Sequence, residues 1–169
     1  GRAPGSARVV FLGSRTEKTS SEREVHELAG GGYPDPWGYG PMAAYGASKL
    51  ALTAMAYELA AHAASAEATR GVSVNVVTPG LVNTSLFAYV PWPLFVLSAP
   101  LRWLLLRTPA KGAETPLWAA TSADEAVAGQ TGAYFGDLKR IESSEASRSG
   151  AFRAWAWDTV CKQVPLEEA

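Results

Sequence analysis

The sequence predicts an α/β protein with a parallel sheet, and three consecutive segments carry that prediction. Residues 9–12 form a continuous apolar run, which is typical of a strand covered on both faces. Residues 43–68 are rich in Ala and Leu and predict a long helix, and residues 72–77 predict a second strand. A strand, a helix and a strand in this order indicate a βαβ unit with a right-handed crossover.

The boundaries of these elements follow from the residues that flank them. Gly71 is expected to end the helix, and the sequence Thr78-Pro79-Gly80 is expected to stop the second strand. Residues 15–41 are polar and then rich in Gly and Pro, so they are interpreted as one long loop. One side of the helix is expected to carry the apolar residues Leu50, Ala54, Tyr57 and Ala61.

Residues 86–106 are very apolar and raise the question of a membrane. A straight spanning helix is disfavoured because Pro91, Pro93, Pro100 and Arg102 interrupt the segment. A flap that dips into a membrane interface is a second interpretation. The favoured interpretation is an apolar flap that covers the substrate in a soluble fold.

The remaining segments complete the α/β pattern. Thr108-Pro109 is typical of a helix start, with the proline at the first helical position. Residues 132–135 predict a short final strand, and residues 152–161 predict a short aromatic helix. The Ser-rich stretch at 143–150 is expected to be loose.

Composition limits the class of function. The chain has 169 residues, enough for one domain with a sizeable core, and its net charge of −1 comes without a basic stripe. Nucleic acid is therefore not expected as a partner. Cys161 is the single cysteine and the two histidines are isolated, so neither a disulfide nor a metal site is predicted, and a reducing compartment is the simpler reading.

The first residues carry neither an initiator Met nor an apolar signal core. A buried-strand pattern follows almost at once, and such a strand needs neighbours on both sides. The chain is therefore expected to be a piece of a larger protein.

The pair Tyr45 and Lys49 is the first candidate for chemistry. Residues four apart lie on one face of a helix, so the ammonium group can lie beside the phenol or share a ligand with it. A fixed cation favours the phenolate and so makes tyrosine a usable proton acceptor and donor. The spacing alone is not specific, because such pairs also arise by chance.

The context of this pair makes it more specific. Ser14 lies just past the end of the first strand, and Pro79 and Gly80 lie just past the end of the second. The helix that carries Tyr45 and Lys49 begins on the same side of the sheet. Because ligands bind at the carboxyl ends of the strands in open α/β sheets, these segments are expected to form one site.

These residues together resemble the short-chain dehydrogenase/reductase family. The strand that ends in Gly13-Ser14, the stretch Tyr45-Gly-Ala-Ser-Lys49 and the stretch Pro79-Gly80-Leu-Val-Asn-Thr84 occur in the order of that family. Thr108-Pro-Ala-Lys-Gly-Ala113 and Gly132-Ala-Tyr-Phe135 are most similar to its retinol-dehydrogenase-like branch. The resemblance covers about residues 8–140, and it corresponds to the C-terminal half of a family member.

The resemblance implies a fold, a reaction and roles. Residues 1–169 would be the C-terminal catalytic portion of one doubly wound, Rossmann-type domain. Tyr45 would be the general acid/base of an NAD(P)-dependent oxidoreductase that interconverts an alcohol and a carbonyl, assisted by Lys49 and Ser14. Tyr45 and Lys49 would also contact the cofactor, together with Pro79, Gly80 and Thr84. The resemblance slightly favours NADP over NAD.

Each assignment has a plainer alternative. Ser14 is also a good turn residue, Tyr45 and Lys49 could be a solvated pair, and Thr84 could cap a following helix. The Gly-rich dinucleotide loop of the family is not in this sequence, so a non-catalytic truncated remnant or an interaction module is the alternative function.

The implied partner is a small-molecule alcohol or carbonyl compound, and a lipophilic one is within the range of the family. The charged residues at 15–18 would flank the mouth of the site, which argues against a purely lipophilic substrate. A cytoplasmic location or peripheral contact with an intracellular membrane, the latter through residues 86–106, is also expected. The resemblance further implies a possible homodimer.

Overall fold

The computed structural model describes residues 7–31, 40–82 and 106–163. Four strands form one sheet in the order β1-β2-β3-β4. The strands are β1 at Ala7–Leu12, β2 at Val72–Thr78, β3 at Tyr134–Gly136 and β4 at Lys139–Ile141. The first three are parallel and β4 is antiparallel to β3, so the predicted α/β class is confirmed and β4 is an addition to it.

Five α-helices and two 3-10 turns accompany the sheet within these ranges. The helices are α1 at Glu22–Ala29, α2 at Pro41–Ser65, α3 at Pro109–Thr121, α4 at Glu145–Arg148 and α5 at Gly150–Gln163. The 3-10 turns are Arg15–Thr19 and Glu67–Thr69. Among the described helices, none is long and apolar enough to cross a membrane.

The core has one layer on each face of the sheet and a further cluster between α1, α2 and α5. Val76 packs with Ala56 of α2 on one face, whereas the next residue, Val77, packs with Ala119 of α3 on the other. This alternation is the period of two expected for a strand covered on both sides. Residues 7–12 pair in parallel register with residues 72–77, which confirms the predicted βαβ order.

Helix α2 is buried on two sides. Leu50 and Ala54 lie in a cluster with α1 and α5, whereas Ala56 and Ala60 face the sheet. The predicted apolar side is therefore only partly right, because Ala61 is exposed. The helix ends at Ser65, short of the predicted residue 68, and Gly71, which has φ +96°, leads into β2.

The prediction of one long loop at 15–41 is wrong for its first half. Residues 15–19 form a 3-10 turn, and α1 follows directly. Ser21 caps α1, and its backbone N–H donates to the Glu24 carboxylate at 2.7 Å in a capping box. Val25 then anchors the helix in the core cluster shared with α2 and α5. The Ser-x-x-Glu signal for this helix start was present in the sequence and was missed.

The prediction of a loose segment at 143–150 is also wrong. Ser144 caps α4, and Ser147 is fully buried, with its hydroxyl donating to the Ser143 hydroxyl at 2.9 Å. Serine content suggested mobility, but these serines satisfy one another in the interior. The predicted helices that begin after Thr108 and near residue 152 are confirmed as α3 and α5.

Asn75 ties β2 to the segment before β3. Its Nδ2 donates to the Gln130 carbonyl at 2.7 Å, and its Oδ1 accepts from the Ala133 N–H at 3.0 Å. The proposed flap at 86–106 and Thr84 fall in residues 83–105, outside the described residues except for Leu106.

Candidate active site

Ser14 is positioned by the residue before it. The Gly13 N–H donates to the Val77 carbonyl at 2.8 Å, so the chain follows β2 for one residue past β1. A Cβ at Gly13 would lie 2.7 Å from Val76 Cγ1 and 3.2 Å from the Tyr134 ring. Only glycine fits this close approach. The chain then leaves the sheet at Ser14, which caps the following 3-10 turn.

Ser14 has two roles in the described structure. Its hydroxyl oxygen accepts from the Thr16 hydroxyl at 2.9 Å and from the Thr16 N–H at 3.3 Å, and so it caps the 3-10 turn. The residue also lines a cavity of about 320 Å³ at the carboxyl ends of β1 and β2. The other described residues that line this cavity are Arg15, Thr16, Thr78, Gly80, Leu81 and Arg107. Ser14 can thus be a turn residue, as the alternative prediction has it, and a residue of the site at the same time.

Lys49 connects the start of α2 to the end of β1. Its Nζ donates to the Leu12 carbonyl at 2.9 Å, two residues before Ser14. The same ammonium lies 5.7 Å from the centroid of the Tyr45 ring, within the range of a cation–π contact. Tyr45 is half-buried and does not line the cavity of Ser14.

Gly46 fixes the distance between α2 and the turn after Ser14. A Cβ at this position would collide with the Ser20 hydroxyl and would lie 3.0 Å from the Thr16 carbonyl oxygen. The glycine next to Tyr45 therefore lets the helix approach the turn closely. No role was predicted for Gly46 from the sequence, although a glycine inside a helical pattern is a signal of close packing.

The other two described tyrosines differ from Tyr45 because they are part of the core. Burial raises the pKa of Tyr57, against a smaller opposing effect of its 2.8 Å hydrogen bond to Ser143. Burial likewise raises the pKa of Tyr134, and the nearby Glu17 adds to the effect. Both phenols are held in the protonated form, which makes them poor proton acceptors.

Gly80 forms the second wall of the cavity. It has φ +81°, which favours glycine, and a Cβ there would lie 3.3 Å from the Arg107 guanidinium carbon. The Arg107 N–H donates to the Leu81 carbonyl at 2.8 Å, so the chain before α3 is fixed to the Pro79-Gly80 turn. Ser14 and Gly80 are thus brought together, and Thr84 lies outside the described residues.

The charged stretch at 15–18 is divided between the cavity and the interior. Arg15 lines the cavity, as expected, but Glu17 is fully buried. The Glu17 carboxylate accepts from the Ser144 N–H at 2.8 Å and from the Ser144 hydroxyl. The expectation that all these charges flank the mouth of the site is therefore wrong for Glu17. A carboxylate can be buried where hydrogen-bond donors satisfy it, and Ser144 provides those donors here.

Comparison with known proteins gives one family. The family model described as short chain dehydrogenase matches residues 37–91. Human polyprenol dehydrogenase is 34% identical over 163 residues, which are 96% of this chain and 46% of that protein. Human retinol dehydrogenase 14 is 36% identical over 116 residues, which are 68% of this chain and 33% of that protein. The chain spans less than half the length of these curated relatives.

A solved structure supports the fold independently. The crystal structure of an uncharacterised protein from Mycobacterium paratuberculosis superposes with a TM-score of 0.59 at 19% identity. The match covers 92% of this chain and 49% of that chain. At this identity the likeness concerns the fold alone, which is of the doubly wound α/β type.

Proposed function

We propose that this chain, which belongs to the retinol-dehydrogenase-like branch of the short-chain dehydrogenase/reductase family, is the C-terminal catalytic portion of an NAD(P)-dependent oxidoreductase. The reaction is the interconversion of an alcohol and a carbonyl compound. Tyr45 is the general acid/base, and Lys49 and Ser14 assist it.

The observation that carries the proposal is the hydrogen bond of 2.9 Å from Lys49 Nζ to the Leu12 carbonyl. It joins the helix of Tyr45 to the end of the strand that leads to Ser14. The Tyr-x-x-x-Lys pair and the serine after β1 are far apart in sequence, and this contact supports their acting as one site. Helix spacing alone gives no such support.

The proposed chemistry assigns the proton to Tyr45. In the oxidation, the Tyr45 phenolate takes the hydroxyl proton of the alcohol, and in the reduction the phenol returns a proton to the carbonyl oxygen. The ammonium of Lys49, 5.7 Å from the ring centroid, assists this transfer as the neighbouring cation. The hydroxyl of Ser14 donates to the same substrate oxygen and orients it.

The residues present fit the nicotinamide end of the cofactor. Gly80 has a backbone that a side chain would strain, and it borders the same cavity as Ser14. Pro79, Gly80 and Thr84 would hold this end together with Tyr45 and Lys49, and the bound cofactor supplies the hydride acceptor or donor. NADP is the favoured form by family resemblance.

Replacement of Tyr45 by Phe in the complete protein tests the proposal. Loss of the proton donor should lower kcat by about 10²- to 10⁴-fold, measured as the change in nicotinamide absorbance. Tyr57→Phe is the matched control, because it removes a hydroxyl from the same helix within the core and should leave turnover nearly unchanged. Unchanged turnover of Tyr45→Phe would refute the proposal.

The substrate class follows from the relatives in outline. Their names, polyprenol dehydrogenase and retinol dehydrogenase 14, favour a lipophilic alcohol or its carbonyl product as substrate. Such a substrate would suit peripheral contact with an intracellular membrane, and a homodimer is a further expectation of the family. Recovery of the complete protein in the soluble fraction without detergent would argue against the membrane contact.

The alternative function is a non-catalytic remnant or an interaction module. It rests on the missing Gly-rich loop, without which these 169 residues should bind cofactor weakly. Calorimetry of the 169-residue chain with NADPH separates the alternatives. Measurable binding would count against the remnant.

A further inference from the structure

Two guanidinium groups line the cavity that contains Ser14. Arg15 follows Ser14 directly, and Arg107 lies against Gly80 on the opposite wall. Their side chains are 56% and 36% exposed, so both are accessible to a molecule that enters the cavity. Neither residue has a role in the proton transfer proposed above.

One carboxylate holds both arginines. Asp137 lies in the turn between β3 and β4; its Oδ2 contacts Arg15 Nη2 at 2.9 Å and its Oδ1 contacts Arg107 Nη1 at 2.5 Å. One negative charge against two positive charges leaves this cluster with a net charge of +1. The nearest acidic residue in sequence to Arg15, Glu17, is not part of this cluster, because it is buried and accepts from Ser144.

The cluster is also prearranged. Arg107 lowers the pKa of Asp137, with a further contribution from Arg15, so the carboxylate stays ionised at neutral pH. Each guanidinium carries five N–H donors, and Asp137 engages one terminal nitrogen of each. The N–H donors of each planar guanidinium that Asp137 does not engage suit the oxygens of a carboxylate or phosphate.

The rest of the cavity wall adds hydroxyl groups. Thr16 and Thr78 border the cavity, and Thr78 Oγ1 accepts a long contact of 3.5 Å from the Gly80 N–H. A molecule that fills about 320 Å³ would touch Ser14 at one point and the arginines at another. A wholly neutral ligand would supply no counter-charge to the net positive charge of Arg15, Arg107 and Asp137.

We infer that Arg15 and Arg107 form an oxyanion-binding subsite, and that the ligand of this cavity carries a carboxylate or phosphate group near its reacting alcohol or carbonyl carbon. This inference rests on the proposed oxidoreductase function. It narrows the substrate class from any lipophilic alcohol or carbonyl compound to one that also carries an anionic group, and such a compound is expected to be preferred over its neutral counterpart.

A matched pair of aldehydes tests the subsite in the complete protein. Reduction of 4-formylbenzoate and of benzaldehyde by NADPH is compared by kcat/KM, and binding of 4-formylbenzoate is measured separately by calorimetry. The wild type should prefer the carboxylate by about ten- to a hundredfold, the value expected for charge-assisted hydrogen bonds. Arg107→Gln and Arg15→Gln should each remove most of this preference, measured as the ratio of the kcat/KM values for the two aldehydes within the same variant.

Two further variants separate binding from folding. Arg107→Lys keeps the positive charge but loses the planar, two-pronged arrangement of N–H donors. It should therefore keep part of the preference that Arg107→Gln loses. Arg23→Gln removes an exposed guanidinium that pairs with Glu27 on α1, and it should change nothing. Thermal unfolding of each variant shows whether it is folded.

The outcomes distinguish the subsite from the reaction. Equal kcat/KM for the two aldehydes in the wild type would overturn the subsite and leave the oxidoreductase standing. Binding of 4-formylbenzoate that depends on Arg107, without turnover of either aldehyde, would support the subsite and count against the reaction. Absence of both binding and preference would overturn the subsite.

The oxyanion could also belong to a phosphate of the cofactor. In that case Arg107→Gln would raise the KM for NADPH about tenfold or more, and the preference between the aldehydes would be absent or unaffected. That result would assign the subsite to the cofactor. A preference that is lost with an unchanged KM for NADPH would assign it to the substrate.

Discussion

Gly46 is the residue at which the start of α2 meets the turn that follows Ser14. The missing side chain lets the Ser20 hydroxyl and the Thr16 carbonyl lie directly against the helix backbone. Tyr45 and Lys49 flank this contact in sequence. The position of the tyrosine relative to Ser14 therefore depends on a residue that takes no part in the chemistry.

We expect Gly46→Ala to destabilise the protein by about 1–3 kcal/mol, in spite of the better helix propensity of alanine. The added Cβ would push α2 away from the Ser14 turn, so kcat should also fall. Chemical denaturation and turnover measure the two effects. Gly150→Ala is the matched control, because no atom lies within 4 Å of an added Cβ there. An equally stable Gly46→Ala would contradict the packing argument.

At the scale of elements, Glu17 attaches the C-terminal helices to the site. Its carboxylate accepts from Ser144 at the start of α4, and Tyr57 of α2 donates to the neighbouring Ser143 at 2.8 Å. Ser147 completes the group of buried hydroxyls. The 3-10 turn, α2 and α4 are thus joined by polar contacts in the interior, where each hydrogen bond is hard to replace.

Glu17→Gln should cost about 1–3 kcal/mol of unfolding free energy. The amide has nearly the same shape, but it lacks the charge that strengthens the two bonds from Ser144. Urea denaturation measures the loss. Glu142→Gln serves as control, since this carboxylate is 84% exposed and lies 3.9 Å from Arg148. Equal unfolding free energies of Glu17→Gln and Glu142→Gln would show that Glu17 does not attach the C-terminal helices to the site.

At the scale of the whole molecule, Asp137 joins three segments that are far apart in sequence. Arg15 follows β1, Arg107 precedes α3, and Asp137 turns the chain from β3 into β4. Asp137 and Leu138 have φ of 55° and 57°, the left-handed conformation of a two-residue hairpin turn. The ion pairs therefore connect the carboxyl ends of the parallel strands to the edge of the sheet.

The stability that the ion pairs of Asp137 contribute should depend on pH in the acid range. The pKa of Asp137 is lowered below its ordinary value of 3.8, so its contribution to stability is present above that pH and is lost as pH falls through the lowered pKa. The difference in Tm between wild type and Asp137→Asn should therefore shrink below about pH 4. Asn tolerates the left-handed backbone, which makes this a clean substitution. Asp158→Asn, at an exposed position of α5, is the control. A Tm difference between wild type and Asp137→Asn that stays constant from pH 7 to pH 3 would contradict the prediction.

The edge strand β1 is a second feature at the scale of the whole molecule. β1 pairs with β2, and no described strand pairs with its other side. Val9 and Leu12 on β1 are 38% and 53% exposed. Exposed apolar side chains on an edge strand favour pairing with a further strand.

The sequence by itself determined the βαβ order, the start of α3 and the candidate residues Ser14, Tyr45, Lys49, Pro79 and Gly80. These follow from local rules: periodicity defines a strand or helix, and parallel strands place their carboxyl ends together. The same rules would have found α1 from its capping box. Thr84 and the roles of all these residues stay predictions.

Only the tertiary structure decided which charges meet. Glu17 and Ser144 are 127 positions apart, and Arg15 and Asp137 are 122 positions apart. No periodicity links residues at such distances, so the sequence suggested solvated charges and a loose serine segment. Whether a carboxylate is buried with donors or exposed beside a cavity depends on how strands and helices pack, and that packing is set by the whole core.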